Sequence, residues 1–176
     1  MKTTKKLVFA AVMAAMAVAL VILVHFPIFP AAAFLEYDPG DIPVLMGTFV
    51  MGVPAGIIIT LIASLVQGLT VSAQSGLYGI LMHIISTTAL LVSVGTTMKR
   101  TGKPILAAAV GAVVATAVMC VANLLITPYF MGVPVSAVKG MLLPIILPFN
   151  FIKSAVNSII SVMVYKLIPK KYTLLT

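Results

Sequence analysis

Four polar side chains in the second half of the sequence have the chemistry to hold a planar, hydrogen-bonding ligand. Asn150, Lys153 and Asn157 are spaced so that one face of a helix carries all three, and Asn123 lies in the apolar segment before them. An amide both donates and accepts hydrogen bonds, whereas a lysine ammonium only donates them. These residues therefore suit the edge of a mostly neutral heterocycle that alternates carbonyl and N–H groups.

Lys153 is the most informative of the four because it lies inside an otherwise apolar segment. An ammonium in such a segment is costly, and by default it marks a functional site or a water-filled cavity. Alternatively, the lysine extends along the apolar surface until its ammonium reaches water. That alternative does not account for two amides on the same helical face, so we favour a binding site.

The stretch FLEYDPGDIP, residues 34–43, contains all three acidic residues of the chain. Asp38 precedes a Pro-Gly pair, which is typical of a turn, and Asp41 is placed to cap the N-terminus of the helix that follows. Turn and cap chemistry do not explain Glu36 and Tyr37. We therefore expect this stretch to form a lid over a pocket.

The composition indicates that membrane-spanning helices position these residues. Hydrophobic residues make up 62% of the 176 residues and charged residues 8%, which is too little polar surface to cover a water-soluble globule. The net charge of +8 does not indicate nucleic-acid binding, because the basic residues form short clusters between long apolar runs. The single cysteine, Cys120, excludes an intramolecular disulfide and a multi-cysteine metal site, and we predict no bound metal.

The apolar stretches predict an all-α membrane protein, a bundle of six transmembrane helices in a single domain, residues 1–176. The second stretch is short, and a broken hairpin with the third is an alternative. Residues 128–148 contain too many prolines for a regular span and leave room for one short surface helix. The first stretch is longer than the apolar part of a secretory signal, so we predict a retained helix. The predicted spans are 7–24, 42–53, 55–71, 76–97, 104–127 and 147–167.

The basic residues predict the orientation, since cytoplasmic segments of membrane proteins are enriched in lysine and arginine. Six spans with the N- and C-termini cytoplasmic place nine of the eleven basic residues on the cytoplasmic side. The same arrangement places the acidic first loop, residues 25–41, outside. The nine basic residues are Lys2, Lys5, Lys6, Lys99, Arg100, Lys103, Lys166, Lys170 and Lys171.

Tyr78 and His83 in the fourth predicted span are further candidates for the pocket. Tyr78 is equally typical of an aromatic residue at the membrane interface, and an isolated histidine is often a packing residue. His83 also bears on an alternative function, an intramembrane enzyme, which would need a nucleophile with a base or paired carboxylates with a metal. The sequence shows no evident serine, cysteine or aspartate partner for His83, so we predict that the chain is not an enzyme.

The first predicted helix carries small residues at spacings of four, which let another helix approach closely. They form two overlapping ridges, one of Ala10 and Ala14 and the other of Ala11, Ala15 and Ala19. For each ridge, the sequence allows either packing inside the bundle or docking of a partner protein.

Three segments resemble the riboflavin-specific S components of bacterial energy-coupling-factor (ECF) vitamin transporters. They are FLEYDPGDIP after the first span, Asn123 near the end of the fifth, and LPFNFIKSAVNSII at the start of the last. The resemblance implies a six-helix subunit of the bacterial plasma membrane that binds riboflavin from outside, with Asn123, Asn150 and Lys153 against the isoalloxazine ring. Asn157 and His83 are added as ligand-binding candidates from their helical positions. The lid residues implied near the ligand are Leu35, Glu36, Tyr37 and Asp38.

The resemblance also implies partners, a transmembrane coupling subunit and two cytoplasmic ATPase subunits, with docking through an alanine ridge of the first helix. The chain itself has no G-x-x-x-x-G-K-[ST] phosphate loop, so the energy must come from such partners. Riboflavin would be the transported ligand, and we predict no cofactor. An S component for another vitamin such as thiamin is the alternative, and Lys153 argues against a cationic ring on Coulomb grounds.

Overall fold

The computed structural model describes residues 3–168, and within that range the chain forms six helices of more than ten residues. The first loop, residues 24–40, contains two short strands, β1 (Phe26–Pro27) and β2 (Glu36–Tyr37), which pair antiparallel. The six helices confirm the predicted all-α fold. Lys2, Lys170 and Lys171, which contribute to the predicted orientation, lie outside the described residues. The helices are α1 (Thr3–Leu23), α2 (Asp41–Met51), α3 (Val53–Leu69), α4 (Gly76–Thr101), α5 (Pro104–Met131) and α6 (Val135–Tyr165).

Four of these helices, α1, α4, α5 and α6, are long and apolar enough to cross a membrane. By contrast, α2 has 11 residues and is only about 16 Å long, whereas the hydrocarbon layer of a membrane is roughly 30 Å thick. Nearly all of α2 is buried in the bundle, including Leu45 and Phe49. A helix enclosed by protein need not reach both membrane surfaces, because its ends face protein groups rather than lipid. The break before α3 is at Gly52, whose φ of 93° favours glycine.

The predicted break at residues 128–148 was wrong, although the short helix expected there is present at Val135–Met141 as the first part of α6. Helix α5 continues through a proline to Met131, and α6 begins at Val135 after a connection of only three residues. A proline inside a helix removes one backbone hydrogen bond, but the packing of neighbouring helices outweighs that local cost. The last helix is therefore longer than the predicted span 147–167 and starts twelve residues earlier.

Helix α6 passes its internal proline, Pro144, through a π-helical segment, Leu142–Ile146. Such a segment shifts hydrogen bonding from the fourth to the fifth residue along the chain, and it commonly marks a bend or a functional region of a helix. Val138 and Ile146, on either side of the proline, are completely buried. Burial of this apolar face explains why the helix continues where the sequence predicts a break.

The first loop packs on α6 through a small cluster of buried apolar side chains. Ala32 and Leu35 of the loop contact the part of α6 that contains Ile146 and Phe149. A larger cluster around α2 forms the centre of the bundle. The loop is therefore an integral part of the fold rather than an exposed connection.

Gly40, the last residue of the first loop, allows the loop to lie directly against α1. A Cβ atom at this position would lie 2.7 Å from Val21 Cγ2 and 2.9 Å from Asp38 Oδ1. Gly40→Ala is expected to lower the free energy of unfolding by about 1–3 kcal/mol, because the overpacked loop must shift. Gly140→Ala is the control, since nothing lies within 4 Å of a Cβ there. Thermal unfolding in detergent measures both, and equal melting temperatures would contradict this tight packing.

Candidate functional site

A cavity lies between α3, α4, α5 and α6 at the end of the bundle that carries the first loop, which we call the loop end. Polar side chains line part of it, and apolar and aromatic side chains line the rest, as is usual for a small-molecule site. The polar lining residues are Glu36, Ser64, Gln67, Ser72, Ser75, His83, Ser86, Asn123, Thr127, Asn150 and Lys153. The apolar and aromatic lining residues are Phe34, Leu35, Tyr78, Ile80, Met82, Met119, Ile126, Phe130 and Phe149.

The Lys153 ammonium points at the first loop. Its Nζ atom lies 2.6 Å from Asp38 Oδ2 and donates to the Glu36 carbonyl oxygen at 3.4 Å. The Lys153 side chain is only 14% exposed and that of Asp38 is 1% exposed, so this is a buried ion pair. Extension of the lysine into water, the alternative to a functional site, is therefore wrong.

Asn157 makes two hydrogen bonds to the same loop and one longer contact to the start of α2. The Tyr37 hydroxyl donates to Asn157 Oδ1 at 3.0 Å, and Asn157 Nδ2 donates to the Asp38 carbonyl at 3.0 Å. A third, longer contact of 3.5 Å joins Nδ2 to Asp41 Oδ2. Burial, and next the Asp38 carboxylate, raise the pKa of Tyr37, which keeps its hydroxyl protonated as a donor. Asn157 does not line the cavity, so its visible role is to position the loop.

Asp38 in the first loop and Asp41 at the start of α2 are both buried. Asp38 forms the predicted turn, because its Oδ1 accepts from the Gly40 N–H at 3.0 Å. The predicted helix cap at Asp41 was wrong, since Gly40 is the cap residue and no side chain caps α2. Asp41 Oδ1 instead accepts from the Thr87 hydroxyl of α4 at 2.7 Å. The carboxylates are thus bound by side chains from other helices.

His83 has two polar neighbours from other helices. Ser64 Oγ lies 2.9 Å from its Nδ1, and Asp41 Oδ1 lies 3.5 Å from its Nε2. A carboxylate only accepts, so it favours a proton on Nε2, and Ser64 then donates to Nδ1. These neighbours are distant in the chain, which is why no partner of His83 is evident in the sequence. Asp41, Ser64 and the largely enclosed His83 tie α2, α3 and α4 together beside the cavity.

Asn123 and Asn150 both line the cavity, as the binding-site prediction requires. Asn123 Nδ2 donates to the Met119 carbonyl at 2.8 Å, and its Oδ1 accepts from Thr127 at 2.8 Å. Asn150 Nδ2 donates to the Ile146 carbonyl, also at 2.8 Å. Among residues 3–168, Asn150 Oδ1 accepts no hydrogen bond. This oxygen and the second amide hydrogen of each asparagine are available to a ligand.

The other predicted site residues divide between the cavity and its surroundings. Leu35 and Glu36 line the cavity, whereas Tyr37 and Asp38 lie behind it and bind α6. Tyr78 lines the cavity while 43% exposed, so it lies at the edge of the site. Its ring centroid is 5.8 Å from that of Phe130, a lining residue that no prediction included.

Ser64 on α3 and Gly79 and Ser86 on α4 line the cavity and were missed, although their spacing carries a signal. On α4, Gly79, Met82, His83 and Ser86 recur at the spacing of one helical face and line the cavity together. On α3, Gln67 lines the cavity one helical turn after Ser64. A stripe of small and polar residues in an apolar helix would have identified this face, but such stripes also serve helix packing.

The alanines of α1 divide between the two faces of that helix. Ala14 is buried in the core and Ala10 packs against it, so these two face the bundle. Ala11 and Ala15, with Ala19, are exposed on the outer face. The first ridge therefore packs inside the bundle, and the second lies on its outer surface.

The comparisons with known proteins agree with this architecture. The family model described as "ECF transporter, substrate-specific component" matches residues 5–165. A solved structure described as "Structure and mechanism of the S component of a bacterial ECF transporter" superposes with a TM-score of 0.82 at 28% sequence identity. That match covers 94% of this chain and 96% of the other. A search of curated proteins gives no significant match.

Proposed function

The chain belongs to the family of ECF transporter substrate-specific components, and from that premise we propose that it binds riboflavin for uptake. Members of this family are membrane-embedded substrate-binding subunits, not enzymes. The observation that carries the proposal is the cavity beneath FLEYDPGDIP, whose lining includes Asn123, Asn150 and Lys153. The two helices that supply these side chains, α5 and α6, pack directly against each other.

The chemistry of the cavity suits a flavin ring. The edge of the isoalloxazine ring alternates carbonyl and N–H groups, which pair with amides that have a free acceptor and a free donor. Phe130, Phe149, Met82 and Met119 supply aromatic and thioether surfaces for the faces of the ring. The cavity therefore offers polar contacts at the ring edge and apolar contacts at the ring faces.

Thiamin is a second candidate because of the charges around the site. The Asp38 carboxylate already neutralises Lys153, so the lysine no longer argues against a cationic ligand. Glu36, Asp38 and Asp41 together outnumber the single ammonium, which favours a cation. The amide edge and the first-loop motif favour riboflavin, and we retain it as the main proposal.

We further propose that residues 1–176 act as a single domain in the bacterial plasma membrane with both termini cytoplasmic. Lys99, Arg100 and Lys103 lie at the far end of α4 from the loop end, which supports an outward-facing cavity. ECF S components work with a transmembrane coupling subunit and ATPase subunits, and we propose two cytoplasmic ATPases here. The exposed ridge with Ala11 and Ala15 is the surface that we assign to the coupling subunit.

Titration of the detergent-purified, ligand-stripped protein tests the proposal. Riboflavin should bind at least about 100-fold more tightly than thiamin, because only the flavin ring matches the amide edge. Asn150→Leu should weaken riboflavin binding by about tenfold through loss of one ring contact. Flavin fluorescence quenching and isothermal titration measure these constants. Tight thiamin binding without riboflavin binding would replace the main proposal with the second candidate.

A further inference from the structure

The end of the bundle opposite to the loop end carries a concentration of positive charge, and we call it the basic end. Its cations lie in the first turn of α1, in the last turn of α4, directly before α5 and directly after α6. Met98 of α4, Ala107 of α5 and Tyr165 of α6 belong to one apolar cluster, so these helix ends pack around one core. Lys6 is partly buried and the other cations are exposed. The cations of the basic end are Lys5, Lys6, Lys99, Arg100, Lys103 and Lys166.

These cations have no acidic side chain of their own chain within reach. The three acidic residues of the sequence are Glu36, Asp38 and Asp41, and all of them lie at the loop end. The ion pairs found among residues 3–168 are formed by Asp38 and Asp41. Cations that share one surface without counter-ions repel each other and attract anions. The basic end therefore favours an anionic partner from outside the chain.

Exposed apolar side chains lie beside the cations of the basic end, on the side toward the middle of the bundle. Leu7, Ile105 and Met163 each lie within one helical turn of a cation, and more than half of each side chain is exposed. The helices that carry them, α1, α5 and α6, are long and apolar enough to cross a membrane. A phospholipid matches both features, because its phosphate lies directly above its acyl chains. A free phosphate would satisfy the cations but would leave the apolar side chains uncovered.

We propose that the basic end binds the headgroups of anionic phospholipids, through Arg100 and Lys103 in particular. Gly102 has a φ of 64° and ends α4, and α5 begins at Pro104, so Arg100 and Lys103 are held at one tight turn. A guanidinium can bind two phosphate oxygens at once, and a lysine adds a point charge. Basic clusters directly beside a membrane helix attract anionic headgroups. Headgroup binding at this end requires a membrane-embedded chain and does not depend on which vitamin occupies the cavity.

Two phospholipids with the same acyl chains, phosphatidylglycerol and phosphatidylcholine, test this surface in the detergent-purified full chain. Native mass spectrometry resolves each bound lipid and gives its dissociation constant. Phosphatidylglycerol should bind at least about tenfold more tightly than the net-neutral phosphatidylcholine. Arg100→Gln and Lys103→Gln should each weaken phosphatidylglycerol binding by about fivefold and change phosphatidylcholine binding by less than about twofold. Lys139→Gln, at an exposed position on the part of α6 that packs on the first loop, is the control and should change neither constant.

Competition with inorganic phosphate distinguishes a lipid headgroup from a free phosphate. Sodium phosphate should weaken phosphatidylglycerol binding no more than sodium chloride of the same ionic strength, because only the lipid also covers the apolar side chains. Stronger competition by phosphate would make the basic end a site for free phosphate and overturn the lipid proposal. Equal dissociation constants for the two lipids, or constants unchanged in both variants, would also overturn it and leave the cations to acidic side chains of a partner protein. Should either variant not fold, Lys166→Gln at the end of α6 should give the same fivefold loss, about that expected for one headgroup contact.

Discussion

Replacing Lys153 with methionine is expected to weaken riboflavin binding by more than about 100-fold and to lower the melting temperature of the ligand-free protein. The Lys153 ammonium lies 2.6 Å from the Asp38 carboxylate, which is almost completely buried. Removing one partner of a buried ion pair typically costs about 3–5 kcal/mol, because the remaining charge has neither water nor a counter-ion. Methionine keeps the apolar contacts of the side chain, so the loss reports on the charge. Flavin titration and thermal unfolding measure the two effects.

Two further variants separate the ion pair from other effects of removing a lysine. Lys139→Met removes an exposed ammonium from the same helix and should leave both measurements unchanged. Adding Asp38→Asn to Lys153→Met removes the unpaired carboxylate and should recover part of the lost stability. A melting temperature that is the same for the two lysine variants, or that falls further in the double variant, would show that the ion pair does not stabilise the loop.

The sequence predicts the parts of this structure that depend on local patterns. The spacing of Asn150 and Lys153 predicts a shared helical face, and both residues line the cavity. The Pro-Gly pair after Asp38 predicts a turn, and the carboxylate accepts from the Gly40 N–H. In each case the residues that decide the structure lie within one or two turns of each other.

The features that the sequence did not predict depend on residues that are distant in the chain. Asp41 is placed to cap its own helix, yet its carboxylate is bound by Thr87 of another helix. Pro144 predicts a helix break, but burial of Ile146 against the first loop keeps the segment helical. Neither outcome has a local signal, because the competing stabilisation comes from tertiary packing.

The same distant contacts determine how the first loop is held over the cavity. The loop is attached to α6 by the Lys153 ion pair and by the hydrogen bonds of Asn157, and it meets α1 at Gly40. A ligand that enters from the loop end must pass beneath this segment, since Leu35 and Glu36 line the cavity. The strength of the attachments to α6 should therefore control the rates of ligand entry and exit.

Replacing Asn157 with leucine is expected to loosen the first loop and to raise the rate of riboflavin dissociation by at least about tenfold. The Tyr37 hydroxyl and the Asp38 carbonyl would each lose a hydrogen bond of 3.0 Å, while the volume of the side chain is kept. Loop opening is measured by the alkylation rate of a cysteine introduced as Ala32→Cys in a Cys120→Ala background. Ala32 is 1% exposed, so faster alkylation reports an opened loop.

The neighbouring Ser158 provides the matched control for Asn157, because its Oγ is buried and has no hydrogen-bond partner among the described residues. Ser158→Ala should therefore leave the dissociation rate and the alkylation rate unchanged. Asn150→Leu provides the opposite comparison. Because Asn150 lines the cavity, this substitution should weaken binding without opening the loop. If Asn157→Leu weakened binding at an unchanged alkylation rate, Asn157 would act on the ligand directly, as its helical position alone predicts, and the attachment of the loop would not control access to the site.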